Sequence, residues 1–442
     1  MTPQRIPPSD PTTTPPAATA SSDAAVRPSF RRRAPMRRRP TLFALSVAAA
    51  LSTAAAACGG PQSPAEARAE LAKKGKGDIV IAAVWPWEEQ KEVLFGQGVD
   101  LALEEIDAGG GVLGRRLRVE RYDDHESVND GRLIAERVSS DPNVVAVIGH
   151  LQSYVTVPAA GIYDQAGLVM VAPASTSAEL TSKGYGRVFR TIFTDRETGE
   201  QMADYALAHG YRRLAIYYVR SQYGRDLANA FEERAAARGA TVVARASYDP
   251  AQQTSDVTVQ QVAREWKEMG PDAVFLAGEV PQAGPLIASF RRAGMALPVL
   301  GGDAMSSPAL ITRGGGAVEG TVVAAAFSAH DPRPEVQSFV AAFRRRWGVP
   351  PDAGSALGYD AVHVLAKAME EAGSTDPAAV AAAMHRVRYA GVTGPIAFTR
   401  SGDLLERRMV KVAVHDGQFR FVDETTPPAT LASASPPPSS EP

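Results

Sequence analysis

Two short polar turns, at residues 149–153 and 173–177, carry the side chains in this sequence best suited to binding a small charged molecule. The first reads Gly-His-Leu-Gln-Ser and the second reads Pro-Ala-Ser-Thr-Ser. Their hydroxyls, at Ser153, Ser175 and Thr176, can donate hydrogen bonds, as can free backbone N–H groups at the start of a helix. Donors of this kind suit a carboxylate. The two turns therefore predict a site for a small zwitterion.

Each of these turns follows an apolar run, and this places both turns at the same edge of a sheet. Residues 144–148 and 168–172 are continuously apolar, which is typical of parallel strands buried on both faces. A helix is predicted from about Ser153 to Gln165. In open α/β sheets, ligands bind outside the carboxyl ends of the strands, so two adjacent loops of this kind define one crevice.

The rest of the chain continues the alternation of strand and helix. At 442 residues the chain exceeds what one core usually fills, which favours two lobes. Alternating strands and helices imply parallel sheets with helices on both faces, an α/β fold. The further predicted strands are 79–84, 117–122, 214–219, 241–246, 273–276 and 299–300, and the predicted helices are 97–106, 131–138, 202–209, 224–238, 257–269 and 285–293.

Composition and motifs argue against catalysis. Hydrophobic residues make up 45% and charged residues 22%, as in ordinary globular proteins. The sequence lacks the Gly-x-Ser-x-Gly and His-Glu-x-x-His motifs, and its seven histidines show no metal-ligand spacing. The glycine-rich segment 109–114 follows a predicted helix and precedes a predicted strand, the reverse of a dinucleotide site. Asp123, Asp124 and His125 suggest either a metal or, in our interpretation, a polar turn. We expect no enzyme activity, cofactor or metal.

The amino-terminal region indicates export. Residues 1–35 are rich in Pro, Thr, Ser and Ala, which predicts a disordered extension unless Met36 is the true start. Residues 36–57 comprise a basic segment, an apolar segment and a small-residue stretch, the pattern of a signal peptide. The only cysteine, Cys58, follows directly. We expect it to be lipidated, which would anchor the protein to a membrane; an ordinary signal peptide with an incidental cysteine is the alternative.

The ends and the charge complete this assignment. Residues 58–77 are predicted to form the anchor and a tether with a short helical piece, and residues 424–442 a disordered tail. No apolar run reaches the ~20 residues that span a bilayer.

Without residues 1–57 the chain keeps 39 basic and 47 acidic residues, a net charge of about −8, which argues against nucleic acid as a partner. A single cysteine excludes an intramolecular disulfide.

The segment from Val147 to Thr191 resembles the leucine/isoleucine/valine-binding proteins, amino-acid receptors of ABC importers. The motifs GHLQS, APAST, AELT and KGYG occur in that family's order and spacing. The resemblance implies the type I periplasmic binding fold, with two Rossmann-like lobes joined by three crossovers near Asp195, Phe327 and Val392. Lobe one would comprise residues 78–195 and 328–391, and lobe two residues 196–327 and 392–423.

The resemblance also implies roles for individual residues. Ser153 and Thr176 would hold the α-carboxylate of the ligand, and the carbonyl of Ala174 would accept from its α-ammonium. Asp303 would face the ammonium from lobe two, and the ring of Tyr223 would close over the ligand. Each residue also has a structural alternative: Ser153 and Thr176 could cap helices, Tyr223 could lie on the lobe surface, and Asp303 could be a helix N-cap.

The sequence departs from the family pattern at three places, and the first two bear on ligand specificity. Trp85 and Trp87 stand where small residues are usual, so one or both either contact the ligand or pack between the lobe and its hinge. Glu279 stands where branched-chain binders often have tyrosine. If it lines the pocket, we expect a ligand with an amide, a guanidinium or an amine, because an unpaired buried carboxylate is costly. Glu126 and Gln152 occupy the positions of a disulfide in the family.

The function expected from this resemblance is that of an extracytoplasmic, lipid-anchored solute receptor. It would bind an amino acid or a close amide or polar analogue between its lobes, act as a monomer, and deliver the ligand to an ABC permease. The alternative is a ligand-sensing lipoprotein that signals to a separate membrane sensor. The export signal and the lack of a helix-turn-helix segment disfavour a cytoplasmic repressor with this fold.

Overall fold

The structure, a computed structural model, describes residues 63–250, 256–406 and 409–422. The predicted extension (1–35), signal peptide (36–57), lipidation site Cys58 and tail (424–442) lie outside the described residues. In the described part of the chain, no helix combines the length and the apolar character needed to cross a membrane.

The described chain begins with helix α1, Pro64–Lys74. Ser63 caps its first turn: the Ser63 hydroxyl accepts from the Glu66 N–H, and the Glu66 carboxylate accepts from the Ser63 N–H. This reciprocal pairing satisfies two backbone donors that a helix start leaves free. Gly75, in the left-handed conformation, ends the helix.

The first lobe is built from alternating parallel strands and helices. In the described chain its sheet has five strands in the order β2-β1-β3-β4-β5. Apolar clusters cover both faces of this sheet, as expected for buried parallel strands. The elements are β1 Ile79–Trp85, α2 Phe95–Ala108, β2 Leu117–Asp123, α3 Val128–Ser140, β3 Val144–Gly149, α4 Ser153–Gln165, β4 Val169–Ala172, α5 Glu179–Ser182 and β5 Val188–Arg190.

The chain then enters the second lobe, whose core is a separate apolar cluster. Its strands are again parallel to one another along this segment. The elements are α6 Asp195–Ala208, β6 Arg213–Val219, α7 Gln222–Ala237, β7 Thr241–Tyr248, α8 Asp256–Met269, β8 Ala273–Ala277, α9 Ala283–Arg292, β9 Val299–Gly301, α10 Pro308–Gly314 and β10 Val322–Ala325, with 3-10 turns at Asp303–Met305 and Gly315–Val318.

A helical segment returns to the first lobe, and the last two strands complete the second. The returning elements are α11 Pro334–Trp347, α12 Ala353–Ala372, α13 Pro377–Met384, β11 Tyr389–Gly391 and β12 Gly394–Ile396, followed in the second lobe by β13 Val410–His415 and β14 Gln418–Val422. Within the described residues the second sheet therefore has seven strands, ordered β14-β13-β10-β9-β8-β6-β7. Strands β13 and β14 are antiparallel, so this sheet is mixed at one edge.

The chain crosses between the two cores three times. Phe189 belongs to the first core and Ile192 to the second, and the return occurs between Ala326 and Phe327. The third crossing lies between Leu404 and Met409. The prediction of a crossing near Val392 was therefore wrong, because Val392, Ile396, Phe398 and Leu404 all belong to the first core. Strand β12 pairs with β11 in a separate hairpin, and apolar residues around it pack into the first core.

Helix α12 brings its amino terminus to the junction of the two lobes by packing closely on α2. A methyl group placed on Gly98 would lie 1.9 Å from the Ser355 carbonyl oxygen, so the two backbones approach more closely than a side chain allows. Asp352 caps α12 by accepting from the Ser355 N–H at 2.8 Å, and it also accepts from the Leu94 N–H at 3.0 Å. Asp352 thus fixes both helix starts at the hinge.

Helix α1 is docked on the first lobe, so the described part of the predicted tether, residues 63–77, is not a free linker. Arg68 is fully buried and donates to the carbonyls of Val144 at 2.7 Å, Ser139 at 3.0 Å and Asp141 at 3.2 Å. These carbonyls lie at the end of α3 and the start of β3. Helix α1 therefore covers the edge of the sheet opposite the carboxyl ends of its strands.

Candidate functional site

A cavity of about 140 Å³ lies between the lobes, at the carboxyl ends of their strands. An apolar cavity of about 150 Å³ is known to accommodate benzene, so this space fits a small molecule. Both lobes line it. Among the lining residues, those of lobe one include Trp85, Gln90, Leu151, Gln152, Ser153, Ala174, Thr176, Asp352 and Leu357, and those of lobe two include Tyr223, Glu279, Val280, Asp303, Ala304 and Ser307.

The two turns predicted to share a crevice do meet. Ser153, the first residue of α4, is buried, and its Oγ accepts from the Ser175 hydroxyl at 3.2 Å and from the Ser177 N–H at 3.3 Å. With two bonds accepted, the Ser153 O–H proton remains for an acceptor on a ligand. Among the described contacts, Ser153 makes no capping bond to its own helix, and Gln152 stands at the N-cap position. The helix-capping alternative for Ser153 was therefore wrong.

Thr176 and Ala174 line the cavity beside Ser153, whereas Ser175 does not. Ser175 is fully buried behind them, and its hydroxyl points to Ser153. Ser175 was predicted to bind the ligand, and the structure places its side chain outside the cavity lining. Ser175 instead orients the hydroxyl that faces the cavity.

The lobe-two wall carries an acid and a phenol that contact each other. Tyr223, near the start of α7, donates from its hydroxyl to Asp303 Oδ1 at 3.1 Å and accepts from the Ala304 N–H at 3.3 Å. A methyl group on Gly302 would lie 2.4 Å from the Tyr223 hydroxyl, so glycine is needed for this approach. Tyr223 is largely buried, which contradicts the surface alternative. Burial raises the pKa of Asp303 to about 6.

A second acid, Asp195, lies behind this wall at the first crossing and was missed in the sequence analysis. It is buried, and neither carboxylate oxygen has a hydrogen-bond partner among the described residues. Burial, followed by repulsion from Asp303, raises the pKa of Asp195 well above its usual range. Asp195 is the first residue of α6, and the local sequence Asp-Arg-Glu is typical of any helix start, so its proximity to Asp303 could not be predicted.

Glu279 lines the cavity from the loop after β8. Burial, followed by repulsion from Glu126 of the opposite lobe, raises the pKa of Glu279 to about 7. Glu126 accepts from Gln90 Nε2 at 2.8 Å and from Gln152 Nε2 at 3.2 Å. The two positions that carry a disulfide in the family are thus joined here by a hydrogen bond between Glu126 and Gln152.

The two tryptophans have different environments. Trp85 lines the cavity and is 2% exposed; its ring stacks on Phe95 with the centroids 4.0 Å apart. Its indole N–H has no hydrogen-bond partner among the described residues. Trp87 does not line the cavity. Its N–H donates to the Tyr122 carbonyl at 3.0 Å and its ring lies under the Arg121 guanidinium, so placing Trp87 in the ligand site was wrong.

A buried pair of side chains, His150 and Asp124, connects the first turn to the loop after β2. His150 Nδ1 lies 2.6 Å from Asp124 Oδ2, and both side chains are inaccessible to solvent. Asp124 also accepts from the Glu126 N–H at 3.1 Å, so the loop after β2 and the turn after β3 are held together. Asp124 is thus a structural acid, in agreement with its interpretation as part of a polar turn.

The cavity therefore offers opposite chemistry on its two sides. Lobe one presents hydroxyl donors at Ser153 and Thr176, and lobe two presents a carboxylate and a phenol at Asp303 and Tyr223. A carboxylate suits the first set and an ammonium suits the second. Gln90, Asp352 and Leu357 also line the cavity but were not predicted, because they reach it from loops and helix starts that are distant in sequence.

Known proteins agree with this architecture. Residues 93–418 match the family described as Periplasmic binding protein. A Leu/Ile/Val-binding protein homologue of Brucella melitensis is 30% identical over 340 residues, which cover 76% of this chain and 90% of that protein. The leucine-, isoleucine-, valine-, threonine- and alanine-binding protein of Pseudomonas aeruginosa is 29% identical over 309 residues, 70% of this chain and 81% of that protein.

Among solved structures, the ABC transporter substrate-binding protein of Desulfitobacterium hafniense in complex with Leu is 36% identical, with a TM-score of 0.71. The match covers 78% of this chain and 100% of that one. The fold, the position of the cavity and these matches lead to one assignment: the chain belongs to the periplasmic binding proteins of type I, in the branched-chain amino acid group, a family of solute-binding proteins and not of enzymes.

Proposed function

We propose that this protein is the receptor of an ABC importer and that it binds an amino acid, or a closely related amide or polar analogue, between its lobes. The observation that carries this proposal is the pairing of Ser153 and Thr176 on one wall with Asp303 and Tyr223 on the other. That pattern matches the two charges of an α-amino acid. Ala174, between the two hydroxyl residues in the lining, offers a carbonyl to the same ammonium.

Ligand-driven closure follows from this distribution of contacts. Because Ser153, Thr176 and Ala174 belong to lobe one while Asp303 and Tyr223 belong to lobe two, the ligand makes its full set of contacts only when the lobes are together. A ligand stabilises the conformation for which it has the higher affinity, so binding favours the closed form. An importer would recognise that form as the loaded receptor.

We also propose that the protein is exported, anchored through a lipid on Cys58 and active as a monomer. The signal-like segment before Cys58 supports this part of the proposal. Labelling of cells with a radioactive fatty acid should mark the wild-type protein and leave the Cys58→Ser variant unlabelled. Equal labelling of both would exclude lipidation at this residue.

The direct test is calorimetric titration of the purified protein with individual amino acids, amides and small carboxylates. We expect an α-amino acid to bind, and we expect Ser153→Ala to weaken that binding about tenfold or more through loss of one hydrogen bond to a charged group. The matched control is Ser140→Ala, an exposed serine at the end of α3. Binding only of ligands that lack an α-ammonium would refute the amino-acid assignment. Ligand binding without any loss of uptake in a deletion strain would point to a sensor instead of an importer.

A further inference from the structure

The cleft contains one acid more than an α-amino acid requires. Asp303 with Tyr223 is suited to the α-ammonium, and Asp352 is used as the cap of α12. Glu279 remains, and among the described residues its carboxylate forms neither an ion pair nor a hydrogen bond. Among the described residues that line the cavity there is no lysine, arginine or histidine.

A second carboxylate without a cation among the described residues, that of Glu126, borders the same cavity from lobe one through Gln90 and Gln152. Glu126 accepts only from the amides of Gln90 and Gln152 in the described structure. Gln90 and Gln152 line the cavity, so this amide and carboxylate group borders the same space as Glu279. Repulsion from Glu126 helps to raise the pKa of Glu279, so the two carboxylates interact, and a cation near Glu279 would relieve that repulsion.

An independent observation marks the same cavity as a ligand site. Trp85 is 2% exposed, lines the cavity and has an indole N–H without a partner in the described chain. A buried N–H donor without a partner is costly, and an acceptor on a bound molecule would satisfy it. The cavity thus offers one free donor and one free acid beyond the groups assigned to the α-ammonium.

We propose that the ligand is an amino acid with a short cationic side chain, whose side-chain ammonium lies between Glu279 of lobe two and Glu126 of lobe one. This rests on the proposed function, because the α-amino and α-carboxylate groups must first be held by the sites described above. Because Glu279 lines the same cavity as the groups for the α-ammonium and the α-carboxylate, a short side chain such as that of ornithine or diaminobutyrate suits this arrangement.

The test compares ligands of equal size that differ in side-chain charge. Ornithine and norleucine are isosteric, as the terminal ammonium of one replaces the terminal methyl of the other. Calorimetric titration of the purified protein at pH 8 should show ornithine binding at least about tenfold more tightly than norleucine, in line with a charge-assisted hydrogen bond. Glutamine, which offers an amide at this position, should fall between the two.

Two substitutions assign the preference to these residues. Glu279→Gln should reduce the preference for ornithine to less than about threefold and leave norleucine binding unchanged or improved, since a buried charge is removed. Glu126→Gln should reduce it partly, and it provides a second test if Glu279→Gln does not fold. Glu88→Gln is the matched control, because Glu88 is exposed and does not line the cavity.

The outcomes separate this inference from the proposed function. Equal binding of ornithine and norleucine, or a preference for ornithine that survives Glu279→Gln, would overturn the cationic-ligand inference and leave an amino-acid receptor. Binding of putrescine as tightly as ornithine would show that the α-carboxylate is not recognised, and would overturn the proposed function. Tight binding of ornithine that depends on Glu279 and on Ser153 would support both.

Discussion

The acid that faces the ammonium site is the residue whose ionisation should matter most for binding. Burial raises the pKa of Asp303 to about 6, and Tyr223 donates to the Asp303 carboxylate. Below about pH 6 the carboxyl takes up a proton and loses its charge-assisted contact with an ammonium. Affinity for an amino acid should therefore fall as the pH drops through this value, and Asp303→Asn should remove that pH dependence.

The raised pKa of Asp303 also affects the stability of the protein. Rising pH favours ligand binding but lowers stability. Between about pH 4 and pH 6 the folded protein holds a proton on Asp303 that the unfolded chain has lost, so stability decreases as the pH rises through this window. The Asp303→Asn variant has no carboxyl group at this position, so it does not lose stability in this way. We expect its free energy of unfolding, relative to wild type, to increase from pH 4 to pH 6 by at most about 3 kcal/mol.

Urea unfolding of the unliganded protein at several pH values measures this difference. The control is Asp416→Asn, which makes the same charge change at the exposed turn between β13 and β14. A difference between Asp303→Asn and wild type that stays constant from pH 4 to pH 6 would show that Asp303 ionises normally.

Individual site residues were predictable where local sequence determines their position. Ser153 and Thr176 follow buried strands directly, so the strand ends place them at the crevice. Trp87 was placed there wrongly, because its N–H is satisfied by the carbonyl of Tyr122 across the sheet, a contact that local sequence does not encode. Asp195 was missed for the same reason, since only the tertiary fold brings it near Asp303.

At the scale of elements, α1 is the part of the molecule whose role differs most from its prediction. Its sequence, with a capping box and a terminal glycine, predicts a helix but not its docking. Docking depends on Arg68, whose guanidinium reaches four carbonyls: those of Val144, Ser139, Asp141 and Ala166. The alternation of strands and helices was predicted well, because the hydrophobic period and the turn residues are local features of the sequence.

The third crossing was not predicted correctly, since it depends on which core Phe398 and Leu404 enter.

Arg68→Met should destabilise the protein without changing ligand affinity. The substitution keeps the apolar stem and leaves buried carbonyls without a donor, which costs roughly 3 kcal/mol. Affinity should stay within about twofold, because α1 lies at the edge of the sheet opposite the cleft. Urea unfolding and calorimetric titration check the two parts, with the exposed Lys74→Ala as the control. A loss of affinity equal to that of Ser153→Ala would show that α1 communicates with the cleft.

At the scale of the whole molecule, two polar contacts bridge the lobes on either side of the cleft. Gln222 of α7 donates from Nε2 to Ser177 Oγ at 3.2 Å and to the Glu179 carboxylate at 3.3 Å. Arg313 of α10 contacts Glu92 at 3.0 Å, with both side chains about half exposed. The first contact is the more buried and joins the turn that carries Thr176, so it is the better candidate for stabilising the closed form.

Gln222→Ala should weaken ligand binding although Gln222 does not line the cavity. If closure and binding are linked, removing a contact made only between closed lobes reduces the population competent to hold the ligand, and affinity falls by about the same factor. We expect a loss of about fivefold, the effect of one net hydrogen bond.

Arg313→Ala is the matched comparison. Because an exposed ion pair contributes little, the affinity of this variant for the ligand should stay within about twofold of wild type. Small-angle scattering should show a more open average shape for Gln222→Ala at subsaturating ligand. Equal effects of the two substitutions would mean that the lobes are held together by the ligand alone.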